Sequence, residues 1–352
     1  MSTEAHAGAG EGGAQAPGMP RFIRDLLGWN AMAMLVVGRR TGMLDAIMEA
    51  PATAAELAAR AGVDARNAAE WLRAMTAHDY LTHDAGRFTF RPDEAEAFRA
   101  FPFDFNYIID YTAGIAGAMP AIVAAVRSGK GVPPAVYHEH LGDIVARIPA
   151  RLYAMALVAW LDQAGVGERL RAGGNLVELG CGAGGALLHL AQAMPRAQFV
   201  GVDLDARALD AARAEGQRRG LHNVSFELGD VERVAADGVD VVLILDALHH
   251  FAHPVAVLKH AAQSLKPGGK VVFAEGTATG DVATDVVSPF ARIHMSSSVL
   301  YCMQEGLHDH GAGLGTTYGT ANYRRLLAEA GYADVGHVDT EAGYTLFIGT
   351  RR

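Results

Sequence analysis

The sequence predicts an α/β fold in which a parallel sheet flanked by helices follows a mostly helical N-terminal region. In segment 175–205, an apolar run, a glycine cluster, a helical pattern and a second apolar run ending on Asp203 follow one another. Three more apolar segments, at 224–228, 239–245 and 270–274, alternate with helical patterns, as βαβ units require. Residues 21–163 instead show mainly helical periodicity with capping signals.

Length and composition narrow the class of protein. A chain of 352 residues makes two domains the default expectation, and a hydrophobic content of 50% with 20% charged residues is ordinary for a globular protein. The formal net charge of −9 disfavours a nucleic-acid partner, which needs a basic face. Cys181 and Cys302 form no disulfide or metal-ligand spacing, so we expect a cytoplasmic protein.

The N-terminal stretch and the apolar segments carry no targeting or membrane signal. Residues 1–20 are rich in Gly and Ala and lack the basic and apolar regions of a secretory signal, so we expect a disordered tail. Of the longest uncharged apolar stretches, 31–38 is too short to span a bilayer and 111–126 contains Pro120. The sequence therefore predicts no membrane anchor.

Residues 21–96 predict a winged-helix domain. Two helices are expected over 21–50, and Thr53 with Glu56 forms a capping box that starts the next helix, which Gly62 ends. Asp64 caps a further helix, and 81–90 has the alternation and Ala-Gly turn of a hairpin. Between residues 53 and 92, five basic side chains are balanced by five acidic ones, which argues against DNA binding.

The glycine cluster predicts a binding site for a nucleoside-bearing cofactor. Gly180, Gly182 and Gly184 follow an apolar strand, where their backbone can turn sharply and approach a ligand closely. The amides that open the next helix point at such a ligand, and Asp203 is placed to accept hydrogen bonds from a ribose diol. Because Gly180, Gly182 and Gly185 also satisfy GxGxxG, a nicotinamide dinucleotide remains an alternative at this point.

Two acids distinguish S-adenosylmethionine from a dinucleotide. Glu178 lies two residues before the first glycine, where a carboxylate opposes a pyrophosphate but suits the ammonium group of S-adenosylmethionine. Asp230 ends the third apolar segment and offers an acceptor to an adenine amino group. Both positions favour the sulfonium cofactor over a nicotinamide oxidoreductase.

With ELGCGAG, VGVDLD, GD, LDALHHF and LKPGG occurring in order, residues 175–276 resemble the class I S-adenosylmethionine-dependent methyltransferases. The resemblance implies a seven-stranded Rossmann-like sheet over 166–352 and S-adenosylmethionine as cofactor. The positions that it assigns to cofactor binding are Glu178, Gly180, Gly182, Gly184, Asp203, Leu204, Asp230, Val231, Asp246 and Tyr153. An oxidoreductase on a similar sheet stays the alternative.

The N-terminal half is similar to the dimerisation module of small-molecule methyltransferases. That similarity implies a homodimer, and it implies that helices over 97–165 join the domains and wall the acceptor pocket. Aromatic residues at helical spacing are equally typical of a core or a dimer interface. A DNA-binding regulator that senses S-adenosylmethionine is a further alternative, which the charge balance disfavours.

The acceptor is a small molecule whose identity the motifs do not describe. An insertion over about 277–319 leaves a strand end and is expected to cap the pocket. The residues predicted to bind the acceptor are Arg292, His294, Tyr301, Tyr107 and Tyr111. His249 and His250 are the candidate catalytic residues. No metal is expected, since His308 and His310 lack further ligands at a recognisable spacing.

Two acceptor classes follow from the resemblance. The segment YCMQEGLHDHGAGLGTTYG with HHF is similar to a bacterial group that includes methylthiohydroxybutyrate S-methyltransferases of dimethylsulfoniopropionate synthesis. Such a thioether needs no base, but its carboxylate needs a cation such as Arg292, Arg151 or a lid histidine. An aromatic or phenolic O-methyltransferase is the alternative, with Tyr and Phe walls stacking a ring.

Overall fold

A computed structural model describes residues 18–101, 103–142, 144–147, 150–232, 238–288 and 291–352. It divides the chain into two compact units, Met1–Phe101 and Pro102–Arg352. Most of the predicted disordered tail, residues 1–17, lies outside the described residues. Most of the predicted linker segment 97–165 belongs to the second unit.

The first unit confirms the predicted winged helix. Four helices precede a two-stranded antiparallel hairpin, and a fifth helix follows it. The elements are α1 (Arg21–Thr41), α2 (Met43–Glu49), α3 (Ala54–Ala61), α4 (Ala65–Ala77), β1 (Leu81–Asp84), β2 (Arg87–Phe90) and α5 (Pro92–Ala100). Positive φ angles at Ala85 and Gly86 close the hairpin, as a two-residue turn of this hand requires.

Local capping sets the boundaries of α3. The Thr53 hydroxyl accepts a hydrogen bond from the Glu56 amide at 3.3 Å, and the Glu56 carboxylate accepts one from the Thr53 amide at 2.8 Å. Gly62 ends the helix in the left-handed region, where glycine pays no side-chain penalty. Leu57 on this helix is fully buried, so the cap positions a core side chain.

Removing the cap should weaken the winged-helix unit. We expect Thr53→Ala to lower its free energy of unfolding by about 1 kcal/mol, because the substitution leaves the Glu56 amide without its acceptor. Thr82→Ala, at an exposed position of β1, is the matched control and should change it by less than about 0.5 kcal/mol. Urea unfolding followed by circular dichroism measures the free energy of unfolding of both variants. Equal values would contradict the assignment of Thr53 as the stabilising N-cap of α3.

The second unit begins with five helices and continues with a seven-stranded sheet. The helices are α6 (Phe105–Ser128), α7 (Pro134–Leu141), α8 (Ile144–Arg147), α9 (Ala150–Gln163) and α10 (Gly167–Arg171). The strands are β3 (Asn175–Leu179), β4 (Gln198–Asp203), β5 (Val224–Leu228), β6 (Val239–Leu245), β7 (Leu265–Gly276), β8 (Ala333–Asp339) and β9 (Tyr344–Thr350). Helices α11 (Gly185–Ala193), α12 (Ala206–Arg218) and α13 (Pro254–Ser264) connect the first five strands.

The strand order β5-β4-β3-β6-β7-β9-β8 confirms the predicted sheet. Its first five strands are parallel, and β9 runs antiparallel to both neighbours. Alternate residues of β6 enter two different apolar clusters, Leu243 with Trp160 and Leu187 on one face, Ile244 with Phe273 on the other. Because the order reverses between β3 and β6, the carboxyl ends of these strands form the crevice where ligands bind in such sheets.

Helix α6 departs from the sequence-based expectation. Pro120 lies inside it without ending it, so stretch 111–126 is part of one 24-residue helix. Within the described residues, this is the one helix long and apolar enough by length and composition to cross a membrane. Core helices of soluble proteins pass the same test, and Ile115, Ile122 and Ala125 of α6 are buried against Tyr137 and Leu141.

The insertion after β7, which was expected to cap the pocket, is mainly helical in its described residues. It contains α14 (Val282–Asp285), α15 (Ala291–Ser297), a π-helical turn (Ser298–Cys302) and α16 (Met303–Gly306), and α17 (Thr320–Glu329) follows it. The Tyr137 hydroxyl of α7 donates a hydrogen bond to the Leu300 carbonyl at 2.9 Å. The insertion, which we call the lid, is thereby fixed to the helices that precede the sheet.

Candidate active site

A cavity of about 240 Å³ opens at the carboxyl ends of β3, β4 and β6. Its lining includes the glycine turn, the strand-end acids, Tyr153 of α9, and Tyr301 and Glu305 of the lid. The structure therefore brings together Glu178, Gly180, Gly182, Asp203, Asp246 and Tyr153, six of the residues predicted to bind the cofactor. It also adds Gly185 and Asp205, which had not been assigned a binding role.

The glycine turn adopts a backbone that other residues avoid. Gly180, Gly182 and Gly184 all have positive φ, at 75°, 51° and 70°. Gly184 does not line the cavity, but a Cβ there would overlap the ring of Phe226 beneath the turn. A glycine at this position lets the turn pack on Phe226 of β5 immediately before α11 begins.

A side chain at Gly184 should therefore be costly. We expect Gly184→Ala to lower the free energy of unfolding of the second unit by about 2–4 kcal/mol, from left-handed strain and overlap together. Gly220→Ala is the control, because Gly220 has φ 67° but open space around its Cβ position, and it should cost about 1–2 kcal/mol. Chemical denaturation compares them, and an equal loss would show that the Phe226 contact is unimportant.

Asp203 is held rigidly at the end of β4. Its Oδ2 accepts a hydrogen bond from the Gly182 amide at 2.7 Å, and its Oδ1 accepts one from the Asp205 amide at 2.9 Å. Each carboxylate oxygen keeps a second lone pair for another donor. The geometry thus ties the predicted ribose-binding acid directly to the glycine turn.

Glu178 is a buried carboxylate that faces the cavity. Its side chain is 3% exposed, and Oε2 has no hydrogen-bond partner among the described residues. Burial, reinforced by the charge of Asp203, raises the pKa of this carboxyl well above its usual range. A cationic ligand would satisfy the oxygen and favour the ionised form, so the site fits the ammonium group of S-adenosylmethionine.

Asp246 directly follows β6 in a strained conformation, with φ at 51°. Tyr344 holds it by donating a hydrogen bond from its hydroxyl to Oδ2 at 3.1 Å. Non-glycine residues keep such angles only where surrounding contacts determine them, and these positions cluster at functional sites. Here the strain turns the chain into the two histidines that follow.

Two acids that sequence reasoning had missed lie beside the histidine pair, Glu275 fully buried and Glu305 partly buried. His249 Nδ1 pairs closely with Glu275 Oε2, and both side chains are 1% exposed. His250 Nδ1 lies 2.6 Å from Glu305 Oε2, and His250 lines the cavity while His249 lies behind it. A carboxylate hydrogen bond therefore orients His249, whereas Nδ1 of His250 makes no hydrogen bond to the described residues and Glu305 places a negative charge beside it.

Cys302 lies against both histidines. Burial by itself would lower the pKa of His249, but Glu275 and Cys302 raise it well above its usual range. Burial would likewise raise the pKa of the Cys302 thiol, while His250 and His249 bring it below its usual range. The cluster can therefore hold or move a proton, or bind a metal ion, beside the cavity.

The predicted acceptor residues divide into two groups. Tyr301 lines the cavity and contacts His250, with ring centroids 4.8 Å apart, and Tyr111 packs behind it. His294 is partly buried against Gly276, and burial lowers its pKa, but it does not line the cavity. Arg292 is exposed to solvent, and Tyr107 is occupied by Arg147, so neither is brought to this cavity.

Three predicted cofactor residues also lie outside this cavity lining. Leu204 is 68% exposed, and Val231 is buried in the core on one face of the sheet. Asp230 accepts a hydrogen bond from the Glu232 amide at 2.9 Å. The neighbouring residues 233–237 are outside the described part of the chain.

Comparison with known proteins agrees with this architecture. Residues 170–331 match the family model described as a methyltransferase domain, and residues 30–98 match an Rv2258c-like winged HTH domain. The ubiquinone biosynthesis O-methyltransferase of Idiomarina loihiensis is 33% identical over 141 residues, covering 39% of this chain and 54% of that protein. The chain spans about half the length of the curated relatives it matches.

Solved structures resemble the chain over nearly its whole length. An O-methyltransferase family protein from Burkholderia thailandensis has a TM-score of 0.71 at 23% identity, covering 94% of this chain and 98% of that one. Human N-acetylserotonin methyltransferase, solved with S-adenosylmethionine, has a TM-score of 0.67 at 19% identity, covering 97% and 99%. At these identities the likeness shows the fold.

The fold, the glycine turn and the cavity acids define a class I S-adenosylmethionine-dependent methyltransferase. More particularly, the chain joins an Rv2258c-like winged-helix domain to a methyltransferase domain, and S-adenosylmethionine is its cofactor. The prediction of cofactor and enzyme class is confirmed, and the assignment of Glu178 and Asp203 to cofactor binding, which their place in the cavity lining fits, stays a prediction.

Proposed function

We propose that the enzyme transfers the methyl group of S-adenosylmethionine to a hydroxyl oxygen of a small, uncharged aromatic molecule. The observation that carries this proposal is the position of His250 on the cavity wall, backed by Glu305 and adjacent to the His249–Glu275 pair. A hydroxyl acceptor must lose a proton during transfer, and a thioether has none to lose. The cluster supplies what an oxygen nucleophile needs.

The charge of the cavity favours an acceptor without a carboxylate. Five acidic residues line it, against two histidines, His138 and His250. Although burial lowers the pKa of His250, Cys302 and Glu305 raise it to about 9. The acids are Glu178, Asp203, Asp205, Asp246 and Glu305. Neither Lys nor Arg is found in the lining formed by the described residues, and Arg151 and Arg292 are exposed. A carboxylate such as that of methylthiohydroxybutyrate would meet like charges here, so the sulfur acceptor gains no support from this arrangement.

Methyl transfer depends on alignment of the acceptor oxygen with the sulfonium–methyl bond more than on a strong acid or base. The sulfonium–methyl bond breaks as the oxygen–methyl bond forms, and the acceptor hydroxyl releases one proton, leaving an ether and the neutral thioether of S-adenosylhomocysteine. Tyr301 and Phe251 supply aromatic walls next to His250. Flat walls of this kind favour a ring that lies against them and exclude water from the reacting atoms.

We further propose that the protein is a cytoplasmic homodimer. Helix α1 leaves large apolar side chains exposed on the first unit, among them Phe22, Leu26 and Trp29. Exposed apolar clusters of this kind mark interaction sites. Light scattering on the purified full chain tests this proposal: a mass of two chains supports it, and a single chain at micromolar concentration contradicts it.

A transfer assay tests the proposed acceptor class. The full chain would be incubated with methyl-labelled S-adenosylmethionine and either a panel of phenols and catechols or methylthiohydroxybutyrate, with mass spectrometry locating the label. Label on an aromatic oxygen supports the proposal. Label on the sulfur of the hydroxy acid, with none on the phenols, would overturn it and restore the sulfur acceptor.

A further inference from the structure

Three possible metal ligands converge beside the acceptor end of the cavity. One ring nitrogen each of His249 and His250 and the sulfur of Cys302 lie within 4.8 Å of one another. His249 is 1% exposed and Cys302 is 6% exposed, so two of the three ligand side chains are shielded from bulk water. The earlier expectation of no metal rested on His308 and His310, which do not belong to this cluster.

The surroundings of the two histidines are those of metal ligands. Glu275 engages Nδ1 of His249, and Glu305 lies 2.6 Å from Nδ1 of His250. A carboxylate on one ring nitrogen fixes the ring and makes the other nitrogen a better ligand, an arrangement that recurs around zinc. Among the described residues His249 has this hydrogen bond, and beside His250 the Glu305 carboxylate supplies a negative charge that favours a bound cation.

The backbone places the third ligand by an unusual turn. Cys302 is the last residue of the π-helical turn Ser298–Cys302, and Tyr301 of the same turn lines the cavity. Tyr137 secures this turn through its hydrogen bond to the Leu300 carbonyl. Isolated π-helical turns are rare and concentrate at functional sites, because they re-aim side chains within a helix.

We propose that His249, His250 and Cys302 bind a zinc ion at the cavity wall, where His250 is the ligand that lines the cavity, and that the acceptor hydroxyl takes the fourth position. Two imidazoles and one thiolate match the ligand preferences of zinc, and three protein ligands with one open position are typical of catalytic sites. Glu275 is then a positioning residue that orients His249, and Glu305 adds negative charge beside His250. This inference rests on the proposed function and specifies how the acceptor is ionised.

The proposed zinc ion would take part in two successive steps, ionisation of the acceptor and methyl transfer. The acceptor oxygen binds zinc, its O–H bond breaks, and the proton passes to a water molecule at the mouth of the cavity. The zinc-bound oxygen then forms its bond to the methyl carbon as the carbon–sulfonium bond breaks. No electron is gained or lost by the metal, and the ether leaves the zinc because it carries no charge.

Metal content and cobalt spectroscopy test the site directly. The full chain, purified without chelator, should contain zinc in stoichiometric amount, and replacement by cobalt(II) should give a thiolate-to-cobalt absorption band in the near ultraviolet. Cys302→Ser should abolish that band. Cys181→Ser should retain it, and because Cys181 is the other cysteine of the chain, this pair assigns the sulfur.

The outcomes separate this inference from the proposed function. Binding of S-adenosylhomocysteine, measured by calorimetry, confirms that each variant is folded. If the chain binds neither zinc nor cobalt, or if Cys302→Ser keeps the cobalt band, the proposed metal site is overturned. Methylation of phenols without metal would then leave the proposed function intact, with the histidines as the base. If the metal binds but no hydroxyl acceptor is methylated, the proposed function fails and the site stands.

Discussion

His249→Asn is expected to lower kcat by at least about 100-fold, since it removes the group that promotes ionisation of the acceptor. The residue is buried, paired with Glu275 and in contact with Cys302, and its ring lies 4.2 Å from that of His250, so its loss disturbs the whole cluster. Either route of ionisation, through zinc or directly through the imidazole, depends on it. Binding of S-adenosylmethionine should be nearly unchanged, because His249 does not line the cavity.

His222→Asn is the matched control for that experiment. His222 is exposed in the turn before β5, away from the carboxyl ends of the strands, and its replacement should leave kcat unchanged. Steady-state kinetics with a phenolic acceptor and calorimetry with S-adenosylmethionine separate the two effects. A His249 variant that retains most of the wild-type kcat would show that the cluster has no part in transfer.

Glu178→Gln is expected to weaken binding of both S-adenosylmethionine and S-adenosylhomocysteine by about 10- to 100-fold, because charged hydrogen bonds of this kind contribute about 1.5–3 kcal/mol. Both ligands carry the ammonium group that we place against Glu178. Glu227→Gln, on exposed strand β5, is the matched control and should bind both ligands normally. Calorimetry measures the four dissociation constants.

The same carboxyl predicts a pH dependence with a definite sign. In the free protein burial raises the pKa of Glu178, so its protonated form persists to higher pH than that of an exposed carboxyl, and a cationic ligand binds the ionised form. Affinity should therefore increase as pH rises toward that raised pKa, with release of a proton on binding. Between about pH 5 and 7 the amino group of the ligand stays charged, so the effect belongs to the protein.

Calorimetry in buffers of different ionisation enthalpy detects the proton that is released when the ligand binds. The wild-type enthalpy of binding should vary with the buffer, and the Glu178→Gln value should not. An unchanged affinity in the variant, together with a buffer-independent enthalpy in the wild type, would place the ammonium group elsewhere.

Much of the fold could be predicted because it is specified locally. Several elements are specified by patterns that span only a few residues. The capping box at Thr53 and the left-handed Gly62 set the two ends of α3, and the apolar run 239–245 forms β6. The glycine turn with Asp203 was predictable for the same reason, since its spacing follows from the strand–turn–helix geometry. Pro120 was wrongly predicted to interrupt the apolar stretch. Helix α6 continues through this proline although it removes one backbone hydrogen bond, and local sequence rules do not predict that.

Only part of the candidate catalytic cluster could be predicted from the sequence. The histidines follow a strand end and could be selected, but Glu275 pairs with His249 only because β7 lies beside β6 in the sheet. An acid closing the apolar strand 270–274 was the signal that could have identified it, as it did for Asp203. Cys302 and Glu305 depend on the path of the lid, which no motif describes, and Arg292 was selected on charge without knowledge of that path.

The most direct test of the central assignment is calorimetric titration of the full chain with S-adenosylmethionine, S-adenosylhomocysteine and NAD. Because Glu178 and Asp203 form a site for a cationic nucleoside, we expect both sulfur nucleosides to bind with micromolar or tighter affinity and NAD not to bind. Binding of NAD without either sulfur nucleoside would contradict the account, and it would assign the glycine turn to a pyrophosphate.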